Sequence, residues 1–155
     1  MQLTAHAAVG AAVGVATGNP VLAFIAGFIS HHIIDAIPHT DGGSYDVSVE
    51  NFALDKRIII IVGFDLALLI LLSFLLFEGR GYNLPMIFGA FGAILPDLID
   101  NMPFWSPRLR KAFPFNYYHL FHEKIHFTII NNKYFWVGIL TQVILIACSL
   151  WYVLK

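Results

Sequence analysis

The sequence predicts an all-α, polytopic membrane protein of about five transmembrane helices. Three observations predict it. The chain of 155 residues is 58% hydrophobic and only 12% charged, with mean hydropathy +0.73, whereas a soluble domain carries about 25% charged residues. Two runs, Ile58 to Phe77 and Tyr134 to Leu154, each have the roughly 20 apolar residues that a bilayer requires. An internal repeat lays Pro20 to His39 over Pro85 to Phe104, an offset of 65. Length allows a single membrane domain, with repeat halves over about 1–55 and 56–117 and C-terminal helices over 118–154.

In chain order, Leu3 to Thr17 is short and rich in alanine and glycine. Its Gly10-Ala-Ala-Val-Gly14 spacing lets another helix approach closely. Gly18-Asn19-Pro20 is a tight turn into a second helix, Val21 to Pro38. Ile58 to Phe77 is the third, and Leu84 to Asp100, ending in a polar motif, is the fourth. Tyr117 to Ile130 reads as a helix interrupted at Asn131-Asn132-Lys133, lying in the interface or starting the last span. In the repeat, Ile34-Asp35-Ala36-Ile37-Pro38 falls on Ile99-Asp100-Asn101-Met102-Pro103, and His32 falls opposite Asp97. Two hairpins in the same sense make a parallel repeat about an axis along the membrane normal.

Several function classes drop out. A net charge of −1 gives no basic footprint for nucleic acid. The single Cys148 excludes a disulfide scaffold and a cysteine-rich zinc site. The N-terminus, Met1-Gln2-Leu3-Thr4-Ala5-His6, lacks the positive region of a signal peptide.

The chemistry-bearing residues stand out against this apolar ground. His31, Asp35 and His39 fall at i, i+4 and i+8, so a helix projects all three from one face, and His32 lies three residues before Asp35. Imidazole and carboxylate groups converging in this way are what a Zn²⁺-type ion needs. Such groups are costly in a membrane unless they pair or bind something. The competing reading is a His/Asp pair that clamps two helices together. Asp97 and Asp100 sit at i and i+3, as ligands, as residues that orient ligands, or as helix-end caps. His119, His122 and His126 follow at i, i+3 and i+7. Within them His122-Glu123-Lys124-Ile125-His126 spells H-E-x-x-H, in which two histidines bind zinc and the glutamate is the base. Asp65 stands alone in its apolar run, as a repeat partner of His6 or as an aspartate bonded to a neighbouring helix.

The repeat places these groups together. The second and fourth helices end on the side where the first begins, close to His6. Lys56, Arg57, Arg108, Arg110, Lys111, Lys124 and Lys133 share that side, leaving Arg80 and Lys155 opposite. The positive-inside rule makes it the cytoplasmic face, with the N-terminus inside.

These motifs resemble a family. Thr4-Ala5-His6 with Gly10 is similar to the T-H-x-x-x-G start of zinc-dependent phospholipase C-like domains. Ser30-His31 through Asp35 to His39 resembles their S-H-x-x-x-D-x-x-x-H helix, and Gly92 to Asp97 their G-x-x-x-P-D segment, here placed after that helix. His119 or His122 resembles an isolated histidine of theirs. The same elements are similar to small bacterial and archaeal membrane proteins grouped as membrane-bound metal-dependent hydrolases. The resemblance implies zinc ligands at His6, His31, Asp35, His39, Asp97 and a histidine near 119–126. The expectation is a hydrolase of the prokaryotic cytoplasmic membrane that holds one or two divalent ions, zinc first among them. Asp97, His122 and Glu123 are its candidate catalytic groups. Its expected substrate is a phosphodiester or phospholipid headgroup in the lipid layer. Two alternatives stand beside it: a non-catalytic metal transport or scaffold protein, with Asp65 on an ion path, and an H-E-x-x-H membrane peptidase.

Overall fold

Asparagine, proline and glycine set the helix limits. In the computed structural model, which describes residues 1–45, 47, 51, 55–78, 83–130 and 132–155, α1 spans Leu3–Thr17 and α2 Pro20–Asp35. Between them Gly18 takes φ 63°, the left-handed region that glycine adopts at no steric cost. The Asn19 side chain accepts from Val21 N at 3.0 Å and Leu22 N at 3.1 Å, capping α2. α3 covers Lys56–Phe77, and α4 covers Leu84–Asp100. Asn83 caps α4 through Met86 N at 3.0 Å, with Pro85 in the first turn. Thus α2 and α4 both open on an asparagine cap with proline and close on an aspartate, and the prolines and aspartates, though not the asparagines, stand at the repeat's offset of 65. Two short helices, α5 (Ser106–Leu109) and α6 (Phe115–Ile125), precede α7 (Phe135–Leu154).

The fold is all-α, and its lengths refine the five-span expectation. Among the described residues, only α3, with 22 residues, and α7, with 20, are long and apolar enough to cross a membrane. Helices α1, α2 and α4 have 15, 16 and 17 residues, reaching about 22–26 Å against a hydrocarbon core of about 30 Å. Arg80, part of the charge pattern across the faces, lies outside the described residues.

Two helices stop earlier than their sequence pattern suggests, for one reason. Pro38 disfavours helical backbone at Ile37, so α2 ends at Asp35 and His39 is not on it. The expected helix over 117–130 ends at Ile125. The released backbones find each other. Phe127 N donates to Asp35 O (2.8 Å), His39 N to Phe127 O (3.3 Å), and Ile129 N to His39 O (2.8 Å), giving a parallel bridge between His39 and Thr128.

α1 is the hub. It packs on α2, α3, α4 and α7 through small residues. A methyl added at Gly10 or at Gly27 would meet the carbonyl of Gly89, and one at Gly92 the carbonyl of Phe24. Its first turn is held by two other helices. Leu3 N and Thr4 N donate to the Asp65 carboxylate at 2.7 and 3.1 Å, and Gln2 N to Gln142 Oε1 at 2.9 Å. Asp65 is therefore an aspartate bonded to a neighbouring helix. Gln142 also donates to Thr40 O at 2.7 Å, which fixes the segment after His39 on α7.

The outer faces of α2, α3 and α7 are apolar, with Ile33, Ile60, Phe64, Ile70, Phe74, Trp136 and Trp151 all well exposed. So broad an apolar exterior marks a surface meant for lipid or partner contact. The glycine seams make a sharp prediction. Gly89→Ala forces backbones apart and should cost about 1–3 kcal/mol, as overpacking does. It should appear as a lower Tm in detergent, whereas Gly63→Ala, with nothing within 4 Å of the new methyl, should leave Tm unchanged or raised.

Candidate metal centre

The ends of α1, α2 and α4 converge on Asp35, which is fully buried. Its two carboxylate oxygens serve two adjoining groups of donors. The first group is His31, Asp35, Asp97 and His122. Here Asp35 Oδ2 lies 3.0 Å from His31 Nε2 and 3.4 Å from His122 Nε2. Asp97 Oδ1 stands 3.9 and 4.0 Å from the same nitrogens. The second group is Asp35, His39 and His126, joined by Asp41. Asp41 Oδ2 is 3.1 Å from His39 Nε2 and 3.3 Å from His126 Nε2. His6, also fully buried, approaches from α1: its Nε2 is 3.2 Å from Asp35 Oδ1 and 3.6 Å from Asp97 Oδ2.

The outer hydrogen bonds of the imidazoles decide what their inner nitrogens do. His31 Nδ1 lies 2.8 Å from Ala93 O, and His39 Nδ1 2.8 Å from Ile37 O. A carbonyl can only accept, so Nδ1 carries the proton in both rings. His122 Nδ1 is 3.0 Å from the Asp100 carboxylate, another acceptor. Thr128 Oγ1 donates to Asp41 and lies 2.9 Å from His126 Nδ1, so its lone pair takes that N–H. All four histidines are thus held at Nδ1 by an outer partner and turn Nε2 inward, towards Asp35 or Asp41, which is how metal-ligating histidines are held.

The donor set fits a cation on three further observations. His31 Nε2 and His122 Nε2 are 3.1 Å apart, close to the roughly 3.3 Å between two nitrogens on one tetrahedral zinc. Neither ring nitrogen of buried His6 has a hydrogen-bond partner among the described residues. In the second group the Met1 ammonium lies 2.9 Å from Asp35 Oδ1, 3.2 Å from His126 Nε2 and 3.5 Å from Asp41 Oδ2. Burial opposes its charge, but Asp35, Asp41 and Asp97 raise its pKa to about 10. This is a pocket that holds positive charge.

Protons show the same pull. Burial would lower the pKa of His122, yet its bonds to Asp100 and Asp35 raise it to about 9. His126 goes the other way, to about 4, lowered by burial and the Met1 ammonium. Burial works against ionised Asp41, and the Met1 ammonium and His39 outweigh it and hold it below the usual carboxylate range.

The other sequence candidates take supporting places. Asp100 is not in a donor group. It accepts from His122 and His119, each at 3.0 Å, and from Arg110 Nε at 3.0 Å, so it orients His122. His119 stays on this outer side. His32 forms a third, partly exposed group with His31 and His122, packed edge-on against Phe28 and Phe121. Glu123 is 71% exposed, its carboxylate 3.9 Å from His119, and is not brought to the donors. His122 and His126 do not share one helical face around one ion as H-E-x-x-H requires: α6 ends between them, and each serves a different group. Asp41 is the residue that helical spacing missed.

No protein-family model, curated protein or solved structure matches the chain. The donor geometry is therefore the ground on which function stands.

Elemental analysis of purified protein tests the shared carboxylate. Asp35→Ala should lose all bound metal, and Asp41→Ala only the share held with His39 and His126. Asp100→Asn should keep the metal with affinity lowered about 10–100-fold, the usual cost of losing an outer partner. Calorimetry tests the proton. Because His122 is protonated at neutral pH, metal binding should release that proton, and the release should fade as pH rises past about 9.

Proposed function

We propose that this chain is an integral membrane, metal-dependent hydrolase that acts on a phosphodiester, such as a phospholipid headgroup, at the cytoplasmic surface. The observation that carries this reading is the pair of donor groups sharing Asp35, with four imidazoles locked Nε2-inward. His31, His122, Asp35 and Asp97, with His6 beside them, would hold one divalent ion, and Asp35, His39, His126 and Asp41 a second. Nitrogen and carboxylate donors without sulfur suit zinc or manganese. A divalent ion there supplies Lewis acidity, lowering the pKa of water towards ~7 and polarising a phosphoryl oxygen.

The residues around it do the rest. Three carboxylates, Asp35, Asp41 and Asp97, face two divalent charges and the Met1 ammonium with neutral imidazoles, leaving a net positive charge that suits a phosphodiester monoanion. Asp100 is offset by Arg110 and adds little to that balance. Asp97 Oδ1 accepts from Asn101 Nδ2 at 2.7 Å, which aims its other oxygen at His6. His6, with its free ring nitrogens, is the group best placed to exchange a proton with water or substrate.

Location supports the headgroup layer. α6 buries His122 and exposes Tyr117, Leu120 and Phe121, the habit of a helix lying in an interface. Exposed Phe104, Trp105, Tyr134 and Trp136 surround the same end, as aromatic residues do at a membrane boundary. Lys56, Arg57, Arg108, Arg110, Lys111, Lys124 and Lys133 belong to the segments at that end too, as basic residues do in cytoplasmic loops. Asp65 is committed to the first turn of α1, which removes the feature that suggested an ion path.

Hydrolysis of bis(p-nitrophenyl) phosphate by metal-loaded protein in micelles tests the reading. Wild type and Glu123→Gln should turn over alike, since Glu123 is outside the donors. His6→Ala should keep metal in the His39 group and lose at least about a hundredfold in kcat, the scale of a lost acid or base. Metal-loaded wild type with no turnover would overturn the hydrolase assignment.

A further inference from the structure

A groove lies on the flank of the bundle between α3 and α4. Its volume is about 210 Å³. Leu69 and Leu76 form one wall, Met86 and Ile94 the other, and Ala7 and Ala11 of α1 the floor. The gap exists because α1 presents alanine at i and i+4 to this side, so no large side chain fills the space between its neighbours. The one hydroxyl on the wall, Ser73, donates to Leu69 O at 2.8 Å within its own helix. The lining is thus apolar along its length.

One end of the groove lies about one helical turn from the donors. Ala7 follows His6, and Ile94 precedes Asp97 by about one turn. From Ile94 to Met86 the groove descends about 12 Å along α4, away from the polar end. Exposed Phe77 of α3 and Phe91 of α4 edge it, on the face that would meet hydrocarbon in a membrane. A helix, about 10 Å across, is too wide for it. A single hydrocarbon chain is not.

The geometry points to this groove as the seat of one acyl chain of a membrane phospholipid whose headgroup phosphodiester lies at the metal centre. The inference rests on the hydrolase reading for the headgroup; the seat itself rests on the groove. It makes the substrate a long-chain lipid approached from within the bilayer, rather than a soluble diester entering from water. The chain would set depth and orientation, so that part of the binding is made far from the reacting bond.

The test uses full-length, metal-loaded protein in micelles with a phosphatidylcholine that carries a diazirine midway along one acyl chain. Photolabelled sites are mapped by mass spectrometry, and hydrolysis of the same lipid and of bis(p-nitrophenyl) phosphate is measured in parallel. Adducts should concentrate on Leu76 and Met86. Ala90→Phe, and the milder rim change Ile87→Trp, should remove those adducts and raise KM for the lipid roughly tenfold, as a blocked apolar pocket does. Metal content and turnover of the soluble diester should stay unchanged, which shows that the variants are folded. Adducts spread evenly over the outer faces of α3 and α7, unaltered in both variants, would overturn the seat while leaving the hydrolase reading intact. Groove labelling that the variants abolish, with neither ester turned over by wild type, would keep the seat and overturn the hydrolase reading.

Discussion

The burial of Asp35 is the constraint on which the rest of the structure depends. A carboxylate without solvent access is tolerated only when its charge is met from every side. Here it is met by the Met1 ammonium at 2.9 Å and by His122 from α6, with His6 from α1, His31 from its own helix and His39 and His126 from the bridged segments around them. Each element that ends near this carboxylate ends there because it has a donor to deliver. Removing the carboxylate would leave a ring of inward nitrogens with no shared anion.

The glycine seams serve the same point at a distance. His31 can reach Ala93 O only because Gly27, Gly89 and Gly92 let α2 and α4 touch at the backbone. The caps on the first turn of α1, from Asp65 and Gln142, then set where His6 stands. Apolar packing and polar chemistry are one system in this bundle: helix spacing below the site sets ligand spacing within it.

Much of the site was legible because helical period forces it. His31 and Asp35 at i, i+4 do share a face, as do His119 and His122 at i, i+3, which both reach Asp100. The prolines that open α2 and α4, Pro20 and Pro85, and the match of Asp35 with Asp100 could be read directly from the repeat. The period misled where the helix stopped. Extending the comb to His39, and the α6 pattern to His126, assumed helix through positions that are extended. In an extended chain, residues two apart face the same side. That spacing pairs His39 with Asp41, and it would have named Asp41 once Pro38 was taken as the end of the helix.

By itself the sequence determined the class of the fold, the turns and caps that punctuate it, and the residue types able to bind a cation. Those follow from local chemistry: apolar runs, proline and glycine geometry, and helical spacing. Only the tertiary structure decided which donors share an ion pocket, that Asp35 stands between two of them, and that Glu123 stands outside. The reason is that ligand geometry depends on contacts between residues about 60 to 90 positions apart, such as His31 with Ala93 and with His122. No local pattern encodes those distances.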